Sequence, residues 1–482
     1  MPPTLQAGVA TRVINPPLGI GKGGVRLFGD PIQAIESDLM AAVLVIASGT
    51  TKIALIATDL GLLTTGESDP MRDAVAAALG IPPSHVLFNV SHNHSAPALH
   101  EWMAMTDEPE DTRLRLRYAA KIERWLVEAA READAQLQPA RLGAGWGESS
   151  IGVYRREPRE GSDVLVLGEV PDAPFDSTVG VLRVDDEEGN PIAVAFRYSA
   201  HPVVVGGRSA VGSTDYPGPA REVLEESLGG TAMFFQGCGG NLNPRVGIGW
   251  EIDCSDTKRR VGFELGGEAL KVAAGIRTNR RAGPRRPLGN IPNILFTPWE
   301  EITEEAPGVV AAVEDRIQLE FEELPSLERA REIHARWQGL LEERQRGDAQ
   351  AWELRSAQKY EDWSRKLVQA VEHGHPTLEL RIQALRIDDV AFVGMNVETF
   401  FETGLEIRER SPFAHTFVLG YSNGLVAYLP RAEDYPPGGW SIDVDYAVPD
   451  MIPQAWALPV ILRADSERRA VDLSLDLLSR IR

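Results

Sequence analysis

The sequence predicts an α/β fold in which mixed β-sheets are layered with helices. Strand-like apolar segments alternate with helical segments through the first half of the chain, a pattern typical of layered α/β proteins. Residues 326–372 are charged, contain tryptophans and have helical periodicity. We expect one catalytic-type domain over residues 1–482, with 326–372 as a helical hairpin inserted in it that turns near Gly347.

The predicted strands are runs of Val, Ile, Leu and aromatic residues bounded by turn residues, and the predicted helices have apolar residues at helical spacing. The predicted elements are, in chain order, a hairpin of strands 41–47 and 53–57, a helix 73–79, a strand 85–90, a helix 112–135, a hairpin of strands 179–184 and 192–199, a helix 216–228, a strand 231–236, a hairpin of strands 378–387 and 390–394, a helix beginning at 398, and a strand 417–421. No internal repeat is evident in the sequence.

Composition excludes several classes of protein. The chain has 70 acidic against 49 basic residues and a net charge of −21, which argues against a nucleic-acid partner because phosphate contacts need clustered Lys and Arg. The longest apolar stretch, 39–47, is far shorter than the ~18 residues that suggest a membrane span. The amino terminus lacks the pattern of a secretory signal, and two cysteines make no disulfide framework, so we expect a cytoplasmic location. The composition does not predict an oligomeric state.

Histidines follow two of the predicted buried strands. His92 and His94 come directly after strand 85–90, and their spacing places both side chains on one side of an extended segment. His201 follows strand 192–199. Because imidazole is a standard zinc ligand and open α/β sheets form their sites at strand ends, the three residues are candidates for a metal site. His92 and His94 also suit polar loop histidines that bond to the backbone, and His201 taken alone also suits a packed histidine.

Glu398 and Tyr428 could add oxygen ligands to such a site. Glu398 is the first acid after the strand-like run VAFVGMNV, and Tyr428 ends the run GLVAY. Taken alone, a Glu here also suits a helix amino terminus, where the helix dipole favours an acid. A Tyr here also suits a half-buried ring with its hydroxyl outward. A third chemistry, a thiol nucleophile at Cys238 with His201 upstream, is left open by the segment QGCGG.

Five segments resemble the neutral ceramidase family, zinc-dependent amidases that cleave the N-acyl bond of ceramide. SHNHSAP resembles the family's T-H-T-H-S-G-P, AGVATRVINPPLG its opening G-x-x-x-x-D-I-T-P-P, SAHPV its second histidine motif, NVETF its P-G-E-F, and SNGLVAYLPRAEDY its S-N-x-Y-x-x-Y-x-T-x-x-E-Y. The segments occur in the family's order from about Ala7 to Tyr435. The resemblance implies the fold of the family's catalytic domain and a bound Zn²⁺.

The resemblance also implies roles for individual residues. It implies that His92, His201, Glu398 and Tyr428 bind the zinc, and that His94 lies beside the metal and contacts the scissile carbonyl or the developing oxyanion. Tyr428 would also assist catalysis by stabilising the oxyanion or moving a proton.

Two further residues fall in family motifs that line or support the site. Arg155 falls where the family has an Asn-Arg pair pointing into the site, which implies a catalytic role; the residue alone also suits a surface salt bridge. Asp215 lies in the loop after His201 where relatives have an acid, which implies that it orients a ligand. It also suits a plain helix N-cap before Tyr216.

The sequence departs from the family at three positions that would face substrate. The family's G-D-V-S-P-N loop, which brings a serine into the pocket, is GNLNPR here, so Asn241 and Asn243 are expected to bind substrate without a serine nucleophile. Trp440 stands where the family has a tyrosine after E-E-Y, and is also expected to bind substrate. Ceramide itself is therefore not the expected substrate.

The expected function is a zinc-dependent hydrolase that cleaves a carboxamide bond of a small-molecule substrate with metal-activated water. Three alternatives stay open. A zinc ester or lactone hydrolase would use the same metal and the same kind of carbonyl. A cysteine hydrolase would use Cys238. A non-catalytic metal- or ligand-binding protein could use the same scaffold with the altered GNLNPR loop.

Overall fold

At the centre of the structure lie three β-sheets whose strands are connected in the same order. The structure is a computed structural model and describes residues 4–22, 31–97, 99, 109–161, 165–206, 209–249, 253–302, 308–374, 376–436 and 458–482. The architecture is mixed α/β with a helical hairpin inserted between two strands, which confirms the predicted fold class.

The strands are, in chain order, β1 Leu5–Val13, β2 Ala34–Ile35, β3 Met40–Ser48, β4 Thr51–Thr58, β5 Val86–Val90, β6 Gln138–Pro139, β7 Arg141–Glu148, β8 Gly152–Pro158, β9 Leu165–Val170, β10 Thr178–Asp185, β11 Pro191–Tyr198, β12 Val211–Gly212, β13 Thr231–Gln236, β14 Leu242–Pro244, β15 Arg280–Ala282, β16 Arg286–Leu288, β17 Ile291–Phe296, β18 Trp299–Glu301, β19 Val310–Glu320, β20 Thr377–Ile387, β21 Val390–Met395, β22 Glu398–Thr399, β23 His415–Leu419 and β24 Tyr428–Leu429. The α-helices in the described residues are α1 Thr65–Leu79, α2 Pro109–Ala135, α3 Pro217–Leu228, α4 Ser255–Gly275, α5 Leu327–Arg346, α6 Ala351–His373, α7 Phe401–Arg410 and α8 Ser466–Arg480.

In each of the three sheets, four strands make two antiparallel pairings followed by a parallel one. Sheet 1 runs β1-β3-β4-β5, with β6 beside β1; sheet 2 runs β7-β10-β11-β13; sheet 3 runs β19-β20-β21-β23. The last pairing is parallel in all three sheets. A parallel neighbour needs a crossover connection, and helices α1, α3 and α7 supply it. No internal repeat in the sequence corresponds to this repeated topology.

A second helix packs on each sheet after its last strand: α2 on sheet 1, α4 on sheet 2 and α8 on sheet 3. Side chains that alternate along a strand point to opposite faces. In β3, Val43 and Val45 face the helices, whereas Leu44 and Ile46 face inward. The inward residues of all three sheets form one central cluster, which includes Phe235 of sheet 2 and residues of sheet 3. The outer faces of the sheets are covered by helices and the inner faces by one another.

The Asn89 side chain joins the three sheets at one end of this central cluster. It is fully buried on β5, and its Oδ1 accepts from the backbone N–H of Gln236 in sheet 2 at 2.8 Å. Its Nδ2 donates to the carbonyl of Gly420, directly after sheet 3, at 2.8 Å, and to Ser422 Oγ at 3.1 Å. One carboxamide therefore satisfies buried backbone groups of the other two sheets.

The predicted hairpins and helices are present, most of them with small shifts of their ends, but two helix starts are wrong. The helix predicted over 73–79 begins eight residues earlier, at Thr65, where Thr64 caps it, and it continues through Pro70. The sequence predicted a helix from Glu398, but Glu398–Thr399 forms the short strand β22, which pairs in parallel with β24, and α7 begins at Phe401. The helical hairpin expected over 326–372 is α5 and α6, inserted between β19 and β20. The single-domain division over residues 1–482 stays a prediction. No helix among the described residues is long and apolar enough to cross a membrane.

Replacing Asn89 by leucine should destabilise the fold. Asn89→Leu keeps the branched shape of the side chain but leaves the Gln236 N–H and the Gly420 carbonyl buried without their partner, at about 1–3 kcal/mol for each group. We expect the free energy of unfolding, measured by urea denaturation, to fall by about 2–6 kcal/mol. Asn190→Leu, on an exposed turn, is the control and should change it by less than about 1 kcal/mol. Equal stability of the two variants would contradict the role of Asn89.

Candidate metal centre

Three strand ends bring the predicted ligands together. His92 follows β5 of sheet 1, His201 follows β11 of sheet 2, and Glu398 follows β21 of sheet 3. The ring centres of His92 and His201 are 5.0 Å apart, and that of His94 lies 4.9 Å from His92 and 5.6 Å from His201. Ligand atoms of the three histidines lie within 4.8 Å of one another, so the group could hold a metal ion.

Backbone carbonyls fix the orientation of two of the imidazoles. His92 Nδ1 lies 2.9 Å from the carbonyl oxygen of Gly61, and His201 Nδ1 lies 3.0 Å from that of Leu242. A carbonyl can only accept, so Nδ1 carries the proton in both rings and Nε2 presents a lone pair. Metal-binding histidines typically have this second contact, because it fixes the tautomer and the ring orientation.

The lone pair of His201 faces a carboxylate. Its Nε2 lies 2.8 Å from Glu398 Oε1, yet the two atoms form no hydrogen bond, and His92 Nε2 lies 3.8 Å from Glu398 Oε2. Two acceptors at such a distance repel each other unless a cation lies between or beside them. The donor set, neutral imidazoles and a carboxylate, is one that zinc prefers. The residues present therefore fit a divalent metal ion.

Burial keeps the three imidazoles neutral. It lowers the pKa of His92 well below its ordinary value, against the opposing effect of the Glu398 carboxylate. Burial likewise lowers the pKa of His94, helped by the repulsion that a protonated His201 would exert and by the charge of Arg155, and it lowers the pKa of His201, helped by Arg155. Because metals bind the unprotonated nitrogen, the low pKa values leave the rings ready to ligate at neutral pH.

His94 differs from the other two histidines in its contacts. The residue as a whole is partly exposed, but both of its ring nitrogens are buried, and neither has a hydrogen-bond partner among the described residues. Its backbone N–H donates to the carbonyl of Pro202 in the loop after His201, which fixes the position of the residue and leaves the ring nitrogens unbonded. These nitrogens could therefore bind a metal ion or a molecule held in the site.

Arg155 lies in the site and is not a surface residue. Its Nη2 donates to Glu398 Oε1 at 3.2 Å and to the Tyr428 hydroxyl at 3.0 Å, and its Nη1 donates to Asn243 Oδ1 at 3.1 Å. It stands on β8, whose pairing with β14 places it beside the Asn243 loop. The pairing of β22 with β24 sets Glu398 directly beside Tyr428. Burial, followed by the charge of Glu398, raises the pKa of Tyr428 well above its ordinary value.

The remaining predicted residues have other contacts. Asn241 accepts from the backbone N–H of Phe401 at 3.0 Å and donates to Glu402 at 2.8 Å, so it holds the start of α7, and its carboxamide is already engaged on both sides. Asp215 accepts from the backbone N–H groups of Val205 and Tyr216 and bonds to no histidine among the described residues. Any effect it has on His201 acts through the loop. Trp440 lies outside the described residues.

The thiol alternative finds no support in the surroundings of Cys238. The side chain is fully buried in the hydrophobic cluster of sheet 3, and Sγ lies 3.9 Å from the carbonyl oxygen of Val418. Burial raises the pKa of the thiol to about 12. Since the thiolate is the nucleophile, a thiol held protonated in an apolar cluster is a poor candidate.

Tyr421 belongs to the site but was not predicted. Its ring stacks on His92 with centres 4.5 Å apart and meets His201 edge-on at 5.8 Å. Its φ of 52° lies in the left-handed region, which is unfavourable for a bulky residue and persists where the surroundings impose it. The only signal in the sequence is its place directly before the SNGLVAY segment that carries Tyr428. His92 itself has a φ of 57°.

Solved structures share this fold. The neutral ceramidase from Pseudomonas aeruginosa aligns with a TM-score of 0.66 at 17% sequence identity, over 99% of this chain and 75% of that one. The fold expected from the sequence resemblance is confirmed. A second structure, of ceramidase complexed with C2, aligns with a TM-score of 0.65 at 17% sequence identity, over 98% of this chain and 75% of that one. No family model matches the sequence, and no curated protein matches it.

Removal of one imidazole should remove the metal. We expect the purified protein to contain one equivalent of a divalent metal by inductively coupled plasma mass spectrometry and His92→Ala to lose it, because Nε2 of His92 faces the site. His373→Ala, at the exposed end of α6, is the matched control and should retain the metal. Equal metal content in both variants would show that the histidine group is not the binding site.

The Tyr421 ring should support metal binding through packing. Tyr421→Phe preserves the stack on His92 and removes only the hydroxyl, which interacts with Glu398, so it should change metal affinity less than Tyr421→Leu does. Tyr421→Leu should lower the affinity about 10- to 100-fold, as for other residues that orient a ligand. Competition with a fluorescent chelator measures the affinity. If the Leu and Phe variants bind the metal equally well, the stacking has no role in orienting His92.

Proposed function

We propose that the protein is a metal-dependent hydrolase that cleaves a carboxamide, an N-acyl bond, in a small-molecule substrate, with zinc as the metal. One observation supports the proposal most directly. The unprotonated Nε2 of His201 faces the Glu398 carboxylate, within a buried group of neutral imidazoles. The shared fold with a neutral ceramidase supports the choice of an amide over other bonds.

The residues that would hold the metal are His92, His201, Glu398 and Tyr428. The two histidines have the carbonyl contacts expected of ligands, and Arg155 holds the carboxylate and the phenol side by side. Zinc bound here would lower the pKa of a bound water to about 7 and polarise a substrate carbonyl.

His94 is the residue best placed to contact the substrate. Its ring nitrogens form no hydrogen bond among the described residues, whereas Nδ1 of each of the two proposed ligand histidines bonds to a backbone carbonyl. With its low pKa the ring stays neutral and can donate one hydrogen bond to the oxygen of a scissile carbonyl. Such a contact strengthens as negative charge develops on that oxygen, and is worth about 3–4 kcal/mol in the transition state.

The reaction needs no nucleophile from the protein. Asn243 stands where the resembling family has a serine; its carboxamide is no nucleophile, and its Oδ1 accepts a hydrogen bond from Arg155. The oxygen of water therefore adds to the carbonyl carbon, the C–N bond breaks, and the protons of water end on the carboxyl product and the leaving amine. Asn243 and Arg155 instead fix the groups beside the metal site.

Separate loss of metal and of turnover would test these roles. His94→Ala should keep its metal but lose about 100- to 1,000-fold in kcat, because it removes a contact to the transition state. His92→Ala should lose metal and activity together. Activity is measured on a panel of N-acyl amides of different acyl length, with esters and lactones for comparison.

Two outcomes would contradict the proposal. Full activity after exhaustive chelation would exclude the metal from the reaction. Stoichiometric metal with no turnover on any amide, ester or lactone would instead indicate a metal- or ligand-binding protein. If His94→Ala loses metal as completely as His92→Ala, then His94 is itself a ligand and its proposed role is wrong.

A further inference from the structure

A two-stranded β-ribbon, residues 280–301, is exposed along most of its length; we call it the arm. Strand β15 pairs with β18 and β16 with β17, and the N–H of Gly283 donates to the carbonyl of Pro298 at 2.8 Å, so the two short pairings form one continuous hairpin. Its turn is Gly289–Asn290, where Gly289 has a φ of 56°. At ~3.3 Å per residue, each side of the arm is about 30 Å long.

The arm exposes apolar side chains to water, which is unfavourable unless another surface covers them. Each of five apolar residues is 46–51% exposed: Leu288, Ile291, Ile294, Leu295 and Trp299. A two-stranded ribbon on its own is marginally stable in water, and a run of exposed apolar side chains marks an interaction surface. The arm is therefore suited to packing against a partner.

The charge of the arm is opposite to that of the protein. The arm contains four arginines and two glutamates, a net charge of +2, in a chain of net charge −21. An anionic lipid surface would attract the arm but repel the acidic remainder of the chain. A partner with local acidic patches and a neutral or apolar floor fits the arm better.

The same chain carries such a surface. A cleft of about 1080 Å³ lies between the end of β19, the end of α6 and the segment before α8; we call it the acidic cleft. Its carboxylates are Glu320, Glu322, Glu323 and Asp465, against one arginine, Arg463. Arg463 pairs with Glu320 at 2.8 Å and lies 3.7 Å from Asp465, so the acidic excess of the cleft comes mainly from Glu322 and Glu323. Phe321, Leu324 and Val371 supply apolar lining between them.

We propose that the arm of one copy docks in the acidic cleft of a second copy, and that the two copies exchange arms reciprocally. Arginines of the arm face the carboxylates of the cleft, and its aliphatic side chains cover the apolar lining. The arm and the acidic cleft are different surfaces. If each copy placed its arm in the cleft of the next copy, the chains would assemble into open filaments, whereas two copies that exchange arms about a two-fold axis form a closed dimer. The proposal does not depend on the catalytic function.

Charge reversal on each surface tests the docking. We expect the full-length protein to be a dimer by sedimentation equilibrium, with a dissociation constant that rises between about 0.05 and 0.5 M salt as the charges are screened. The arm variant Arg281→Glu/Arg285→Glu and the cleft variant Glu322→Arg/Glu323→Arg should each raise the constant at least about tenfold. Arg124→Glu/Arg260→Glu, on exposed faces of α2 and α4, is the matched control and should leave it unchanged.

The decisive variant combines both reversals in one chain, which makes the arm acidic and the cleft basic. This variant should dimerise again. If the separate reversals had prevented dimerisation by unfolding the protein, combining them would not restore it. Three outcomes would overturn the proposal: a wild-type protein that is monomeric at its highest soluble concentration, a dimer unaffected by either reversal, or a monomer whose arm binds vesicles containing phosphatidylserine.

Discussion

The site depends on the buried carboxamide of Asn89, which holds three sheets in one register. Each sheet ends at the same place, but apolar packing alone is non-directional and would permit the sheets to slide against one another. Asn89 adds directional bonds from sheet 1 to Gln236 of sheet 2 and to Gly420 after sheet 3. It stands three residues before His92, so the contacts that fix the sheets also fix the first proposed ligand. A displacement of one residue in any of the three sheets would move one proposed ligand, His92, His201 or Glu398, away from the other two.

The sequence predicts the strands and the ligand positions because both follow from local patterns. Period-two alternation identifies β20, and a histidine directly after a buried strand is visible without any structure. The threefold topology is not visible, since equivalent strand ends carry different chemistry: two imidazoles, one imidazole and one carboxylate. The start of α7 was misjudged because Glu398 pairs with Tyr428, 30 residues away in the chain, and Tyr421 was missed because its stacking on His92 depends on a backbone conformation that no local pattern predicts.

Arg155 gives the site an unusual balance of charge. Its guanidinium contacts Glu398, Tyr428 and Asn243 together, so a single cation organises a carboxylate, a phenol and a carboxamide. Asn243 accepts from this guanidinium with its Oδ1, so its carboxamide supports Arg155 in this arrangement.

The sequence order of the three sheets has a consequence for folding. Sheet 1 is built from residues 5–139, sheet 2 from 141–236 and sheet 3 from 310–419, so each can assemble from one uninterrupted stretch of chain. Contacts within a sheet are closer in sequence than contacts between sheets, and such units form and open separately from the whole. The proposed set of His92, His201 and Glu398, in contrast, is complete only where all three sheets have docked. A metal ion bound by this set would stabilise the molecule in which all three sheets have docked, because partly folded intermediates lack the complete set of ligands.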